Sequence, residues 1–503
     1  MKYENPIIKG FYPDPSVCKF KNKFYLVNSS FGYFPSIPIF VSEDVINWKQ
    51  LGYVLNKREQ IDLKSSGVSG GVYAPTIRTD GKRLYVIYTN VSIMRNFIVS
   101  TLNPNLGWSN PIEVENWVGI DPSLFFDDDG SVYVQGTSGK NEKEGIYQAK
   151  INITTGKLLS NRKLISTGTG GKSPEAPHVY KKNGTYYLLL AEGGTEYGHM
   201  VTIFRSENID GPYEGDKQNP ILSNRSTGIK IQCVGHADFF KDNYGNYWLV
   251  ALGIRRIGHH AYYHFIGRET LLAPVEWDNN WPTVNGNGHV YKEMEGPLLN
   301  PQKRESNNIL IDFSKVSKIP VRFIYLRDRK SENYILNKKM GLKLKASKGT
   351  LDTTQDVTFL GIRQSELKVS YESDFEVGSN NFIKFGITAF MSKDYHYDLY
   401  VDMKKSTINL KVRVGSISQI IESFKVNSIK NVNLKIESDE KNYYFEAIID
   451  AQKFDLGYQN TNLLSSEISG TFTGVILGNF AQSNDNLDEV YLKEIRYVEI
   501  NRQ

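Results

Sequence analysis

Asp14-Pro-Ser-Val17, followed after a short gap by Phe24-Tyr-Leu-Val27, sets a polar turn residue and a proline before an alternating strand, then a tyrosine-bearing strand. The pattern returns four times: Ala74-Pro-Thr-Ile77 with Leu84-Tyr-Val-Ile87, Asp121-Pro-Ser-Leu124 with Val132-Tyr-Val134, Ala176-Pro-His-Val179 with Tyr186-Tyr-Leu-Leu189, and His236-Ala-Asp-Phe239 with Tyr247-Trp-Leu-Val250. The starts lie 60, 47, 55 and 60 residues apart. One propeller blade of four strands needs roughly 40–50 residues plus loops. No helical periodicity interrupts the strands and turns, so residues 1–299 are predicted to form a five-bladed β-propeller.

The repeat stops at the polar stretch Asn300 to Asn308, which reads as a linker. Beyond it, residues 309–503 carry longer alternating runs without the blade pattern, among them Phe382-Ile-Lys-Phe-Gly-Ile-Thr-Ala-Phe390, Tyr397-Asp-Leu-Tyr-Val-Asp402 and Thr407-Ile-Asn-Leu-Lys-Val-Arg-Val414. Many such strands predict a C-terminal β-sandwich, and the whole chain reads as all-β. A length of 503 residues agrees with two cores.

Composition removes several functional classes. The 60 basic and 55 acidic residues leave a net charge of +5, with no basic stripe of the kind that binds nucleic acid or an anionic membrane. No segment has the length and apolarity of a bilayer span, and the first residues lack the apolar run of a signal peptide, so the expected location is cytoplasmic. Cys18 and Cys233 have neither disulfide nor metal spacing and are expected to be small buried residues. Asp127-Asp-Asp129 before Gly130 reads as a hairpin turn and not a calcium loop. Thr167 to Ser173 superficially resembles a phosphate loop but lacks its spacing and its following helix.

In a propeller the innermost strand of each blade lines the central channel, so equivalent positions converge at one end. The residue at the head of each repeat is Asp14, Ala74, Asp121, Ala176 or His236, and Glu175 stands one position before Ala176. Three carboxylates and a histidine are therefore predicted to meet at one channel mouth. Singly, each is an ordinary turn residue. Their shared radial position points to a site, because gathered like charges raise one another's proton affinity. Glycosidic hydrolysis needs such a set: an acid to protonate the leaving oxygen and a carboxylate to activate water.

Phe11-Tyr-Pro-Asp-Pro-Ser16, Gly119-Ile-Asp-Pro-Ser123 and Ser173-Pro-Glu-Ala-Pro-His178 resemble the signature segments of glycoside hydrolase family 43. Gly235-His-Ala-Asp238, Gly267-Arg-Glu-Thr270 and Ala273-Pro-Val-Glu-Trp277 extend the resemblance across the propeller. It implies Asp14 as general base, Glu175 as general acid, Asp121 as the residue that orients Glu175 and tunes its pKa, and inversion in a single displacement. It also implies the family branch with a lectin-like, concanavalin A-like sandwich, acting on oligosaccharides as a β-xylosidase or α-L-arabinofuranosidase. Arg268 matches a sugar-binding position, with a structural salt bridge to Glu269 or another carboxylate as the alternative. Tyr73 stands where many relatives carry Trp.

Phe31, Tyr33 and Phe34 offer an aromatic wall, with core packing of Phe34 as the alternative. His236 is placed at the channel for substrate contact. No cofactor is required, although relatives allow a water or calcium ion near that histidine, and a homo-oligomer stays open. Phe472, in Gly-Thr-Phe-Thr-Gly474, is a candidate to close the pocket from the second domain. The Asn-Asp-Pro-Asn-Gly signature of invertase-like retaining hydrolases is absent, and a purely sugar-binding propeller would not need a proton donor opposite a base.

Overall fold

A computed structural model describes residues 1–277, 281–297, 306–354, 356–378, 383–484 and 488–500. The repeat forms five four-stranded antiparallel sheets in chain order. Their innermost strands are Ser16–Phe20, Val72–Thr79, Ser123–Phe126, Glu175–Lys182 and Ile231–Lys241. Each packs beside the next, and the fifth returns to the first, which closes the ring. Lys2–Glu4 pairs with Glu293–Glu295, and Asn5 Nδ2 donates to the Leu272 carbonyl at 2.9 Å, so the N-terminal segment clasps the fifth blade.

The predicted equivalence of the repeat heads appears in the backbone itself. Asp14, Ala74, Asp121, Ala176 and His236 all adopt left-handed φ, at 53°, 28°, 53°, 51° and 48°. A non-glycine residue held there costs about 1–3 kcal/mol, so five in register are a constraint imposed by the ring. In blades two, four and five the strand register also shifts beside this residue. Such bulges turn side chains out of the regular alternation and toward the channel mouth.

The second half is a sandwich of an eight-stranded and a six-stranded sheet. Strands such as Val369–Val377 alternate buried and half-exposed residues, while Lys384–Ser392, near the middle of its sheet, is covered on both faces. Phe382 and residues 300–305 of the linker lie outside the described residues; 306–308 are described, and Asn307 Nδ2 donates to Glu499 at 2.9 Å.

The two halves share an apolar seam. Phe11, Phe31, Tyr33 and Tyr53 from the propeller pack with Phe359, Phe390, Ile476 and Phe480 from the six-stranded sheet. Tyr325–Leu326 adds a strand to Tyr33–Phe34. Arg255 donates to Glu269 at 2.7 Å in its own blade and to Glu366 at 2.5 Å across the seam. Among the described residues no helix is long and apolar enough to cross a membrane.

Candidate active site

Asp14 lies at the mouth, 5 % exposed, with a different donor on each carboxylate oxygen. Ser29 Oγ donates to Oδ2 at 2.5 Å, and Arg268 Nη1 donates to Oδ1 at 3.2 Å. His236 Nδ1 stands 3.7 Å from the same Oδ1. Burial pushes the Asp14 pKa up, but Arg268, His236, the Ser29 hydrogen bond and His199 together hold it below the usual carboxylate value. His236 is itself depressed by burial, with Arg268 opposing its protonation and Asp14 favouring it.

Asp121 and Glu175 are driven the other way. Burial, then Glu175 and Asp14, push Asp121 well above its ordinary value despite a hydrogen bond from the Ala176 amide. Burial and the Asp14 charge raise Glu175 to about 7. The Glu175 charge beside Asp121 makes ionisation of both unfavourable. One mouth thus combines an ionised carboxylate with two that resist ionisation, the separation that acid–base catalysis requires.

The two alanines at repeat heads have kept the backbone device without a carboxylate. The Ala74 amide donates to Ser29 Oγ at 2.7 Å, and the Ala176 amide donates to Asp121. In each case the left-handed head of one blade anchors the polar group of the blade before it. A repeat read only through side chains misses these two contributors.

The loop that superficially resembled a phosphate loop runs into the Glu175 strand and is organised around a different carboxylate, Glu192. Its amides at Thr169 and Gly171 donate to Glu192 at 3.0 and 3.1 Å, and Thr202 Oγ1 adds a bond of 2.6 Å. The loop cradles an internal carboxylate, and a Cβ on Gly168 would meet that carboxylate at 2.7 Å. Asp127 likewise ends a hairpin, held by Lys181 and Tyr186 at 2.8 Å each.

Arg268 forms the expected ion pair with another carboxylate, Asp14, and not with Glu269, which is taken by Arg255. Arg268 Nη1 also donates to Thr195 Oγ1 at 2.8 Å. Tyr73 is half-buried and donates to the Ser69 carbonyl at 2.6 Å. Its ring lies 4.8 Å from Phe31, centroid to centroid. Phe31 is only 2 % exposed and sits beneath Tyr73 and Arg268, so it supports the mouth rather than standing open as a wall. Tyr33 is buried in the seam, and Phe34 lies in the core.

Phe472 arrives from the sandwich, 42 % exposed, with its ring 5.8 Å from the Arg268 guanidinium. Its carbonyl accepts from Arg268 Nη2 at 3.4 Å, and its amide donates to Ser69 Oγ at 3.0 Å. Gly474 permits this approach, because a Cβ there would strike the Ile266 carbonyl at 1.8 Å. Among the described residues no group of three or more His, Cys, Asp or Glu could hold a metal ion. Near His236, Asp14 is paired with Arg268.

Ser29, Thr195 and His199 did not emerge from the sequence, since none occupies a repeat head. His199 is 1 % exposed, and its ring fills the space that a Cβ on Gly235 would need. A Gly immediately before the repeat-head histidine was the available signal.

Known proteins place this geometry in a family. Residues 3–282 match the model of Glycosyl hydrolases family 43, and 311–497 match the Beta xylosidase C-terminal Concanavalin A-like domain. The chain is 35 % identical to a xylosidase/arabinosidase of Butyrivibrio fibrisolvens, covering 97 % of each chain. It is 33 % identical to a non-reducing end alpha-L-arabinofuranosidase of Bacteroides ovatus, over 96 % of this chain and 92 % of that one. A solved xylan beta-1,4-xylosidase from Bacillus halodurans superposes with a TM-score of 0.92 at 28 % identity, covering 99 % of this chain and 100 % of the other. With the carboxylate mouth, the propeller and the sandwich all accounted for, the chain belongs to glycoside hydrolase family 43.

Proposed function

We propose that this hydrolase is an exo-acting, inverting glycosidase that releases β-D-xylose from the non-reducing end of xylo-oligosaccharides. The observation that carries the reading is the division at the mouth: Asp14 stabilised as an anion, Asp121 and Glu175 stabilised as acids. Asp14 takes a proton from water while that water forms a bond to the anomeric carbon. Glu175 gives its proton to the departing oxygen as the glycosidic bond breaks on the opposite face. Asp121, which receives the Ala176 amide, orients Glu175 and tunes its pKa, while burial and the Asp14 charge favour the acid form of Glu175. Arg268 and Tyr73 border the sugar, and Phe472 walls one side, which supports a pocket for a terminal residue.

Hydrolysis of α-L-arabinofuranosyl groups is the second reading. It is favoured by the printed activities of the Butyrivibrio and Bacteroides relatives. The two pentosyl groups present similar hydroxyls to a shallow pocket, so small differences in shape set the preference. Rates on aryl β-D-xylopyranoside and aryl α-L-arabinofuranoside, measured side by side, test the assignment. A higher kcat/KM on the xyloside is expected; a clear preference for the arabinofuranoside would transfer the function to the second reading.

A further inference from the structure

Asp14 is held by a contact that none of the sequence motifs contains. Ser29 is fully buried and follows the second strand of blade one, Lys23–Val27. Its Oγ accepts the Ala74 amide at 2.7 Å and stands 2.5 Å from Asp14 Oδ2. A hydroxyl has one hydrogen, and the amide occupies an acceptor side, so the hydrogen is directed to the carboxylate. The Ala74 amide reaches Ser29 because its backbone is left-handed, with φ of 28°.

We infer that Ser29, anchored by the Ala74 amide, is a positioning residue that fixes the Asp14 carboxylate as an ionised base. Its hydroxyl holds Oδ2, while Arg268 holds Oδ1, and the remaining lone pairs are left for water. A charge-assisted bond of this kind favours the carboxylate over the carboxylic acid. Every neighbouring blade bears on the balance. Blade two faces Asp14 with Tyr73, blade three with Asp121, blade four with Glu175 and His199, and blade five with His236 and Arg268. Asp121, Glu175 and an ionised Tyr73 would oppose a negative Asp14, so the neutral donor from Ser29 complements the cation paired with it, Arg268.

The inference rests on Asp14 acting as the base, and the test separates the two ideas. Wild type, Ser29→Ala, Ser29→Cys and Asp14→Asn are compared by kcat/KM on an aryl glycoside across pH 4 to 9, with thermal melts as a check on folding. Ser29→Ala should move the acid limb upward by about one pH unit, with a smaller shift in the same direction for Ser29→Cys, a weaker donor of similar size. If Ser29→Ala does not fold, the Ser29→Cys shift decides the matter. An acid limb left at its wild-type position, with kcat/KM lowered by one factor at every pH, would reduce Ser29 to packing. Asp14→Asn should be inactive throughout; retained activity there would instead remove Asp14 as the base.

Discussion

Two layers of the same channel, two residues apart along the strands, treat charge in opposite ways. At the mouth, Asp14, Asp121 and Glu175 share one nearby guanidinium, and two of them are pushed toward protonation. One step inward stand Ser16, Thr76, Ser123, His178 and Asp238, all buried. There Asp238 receives Arg78 on both oxygens, at 2.7 and 2.9 Å, together with Ser16 at 2.7 Å and Tyr180 at 2.6 Å. Burial would raise its pKa, but Arg78, His178 and those hydrogen bonds drive it far below the usual range. The inner carboxylate ties blades one, two, four and five together, while the outer ones are left poised for proton transfer.

Breaking the inner layer should have the largest effect on stability. Asp238→Ala leaves the Arg78 cation buried beside an unpaired hole, which costs about 3–5 kcal/mol. Thermal unfolding should fall by roughly 5 °C, while kcat/KM at 25 °C on the fraction that remains folded should change by less than about threefold. Loss of catalysis at an unchanged melting point would place Asp238 in the reacting site.

The mouth should announce itself in the pH profile. Glu175 must be protonated to act, so kcat/KM is expected to fall as pH rises through about 7, roughly tenfold per unit beyond it. A plateau extending to pH 9 would show that the acid is held far more tightly than the mouth suggests. The smallest expected effect is on stability. A carboxyl whose pKa is raised by folding weakens the fold at pH above its unfolded value. Glu175→Gln should therefore raise the melting point at pH 7.5 by about 2 °C, and a lower melting point would mean that the carboxylate is a structural anchor.

The repeat made five blades and three carboxylates legible because one residue per blade must face the axis. The same alternation, continued two and four residues inward, also marks Asp238, His178, Arg78 and Tyr180. Their importance was hidden because a run such as Ala237-Asp-Phe-Phe240 looks like ordinary strand edge until the blades close. Ser29 and Thr195 lie outside the repeat and reach the site only through loops. Phe472 reaches Arg268 across 204 residues of chain, a meeting fixed by the apolar seam and by the bare backbones of Gly474 and Gly267. The buried position of Phe31 was similarly unreadable, because much of its cover comes from other blades, from Tyr73 and Arg268.

The division of labour at the mouth is tested most directly by Glu175→Gln on two substrates that differ only in the leaving group. A good leaving group needs little protonation, whereas a poor one needs it fully. The variant should lose about 10²–10⁴ in kcat/KM on the unactivated oligosaccharide and far less on an activated aryl glycoside. Equal losses on both would contradict Glu175 as the proton donor, and with it the account of one ionised carboxylate and two carboxyls that resist ionisation sharing the mouth of the propeller.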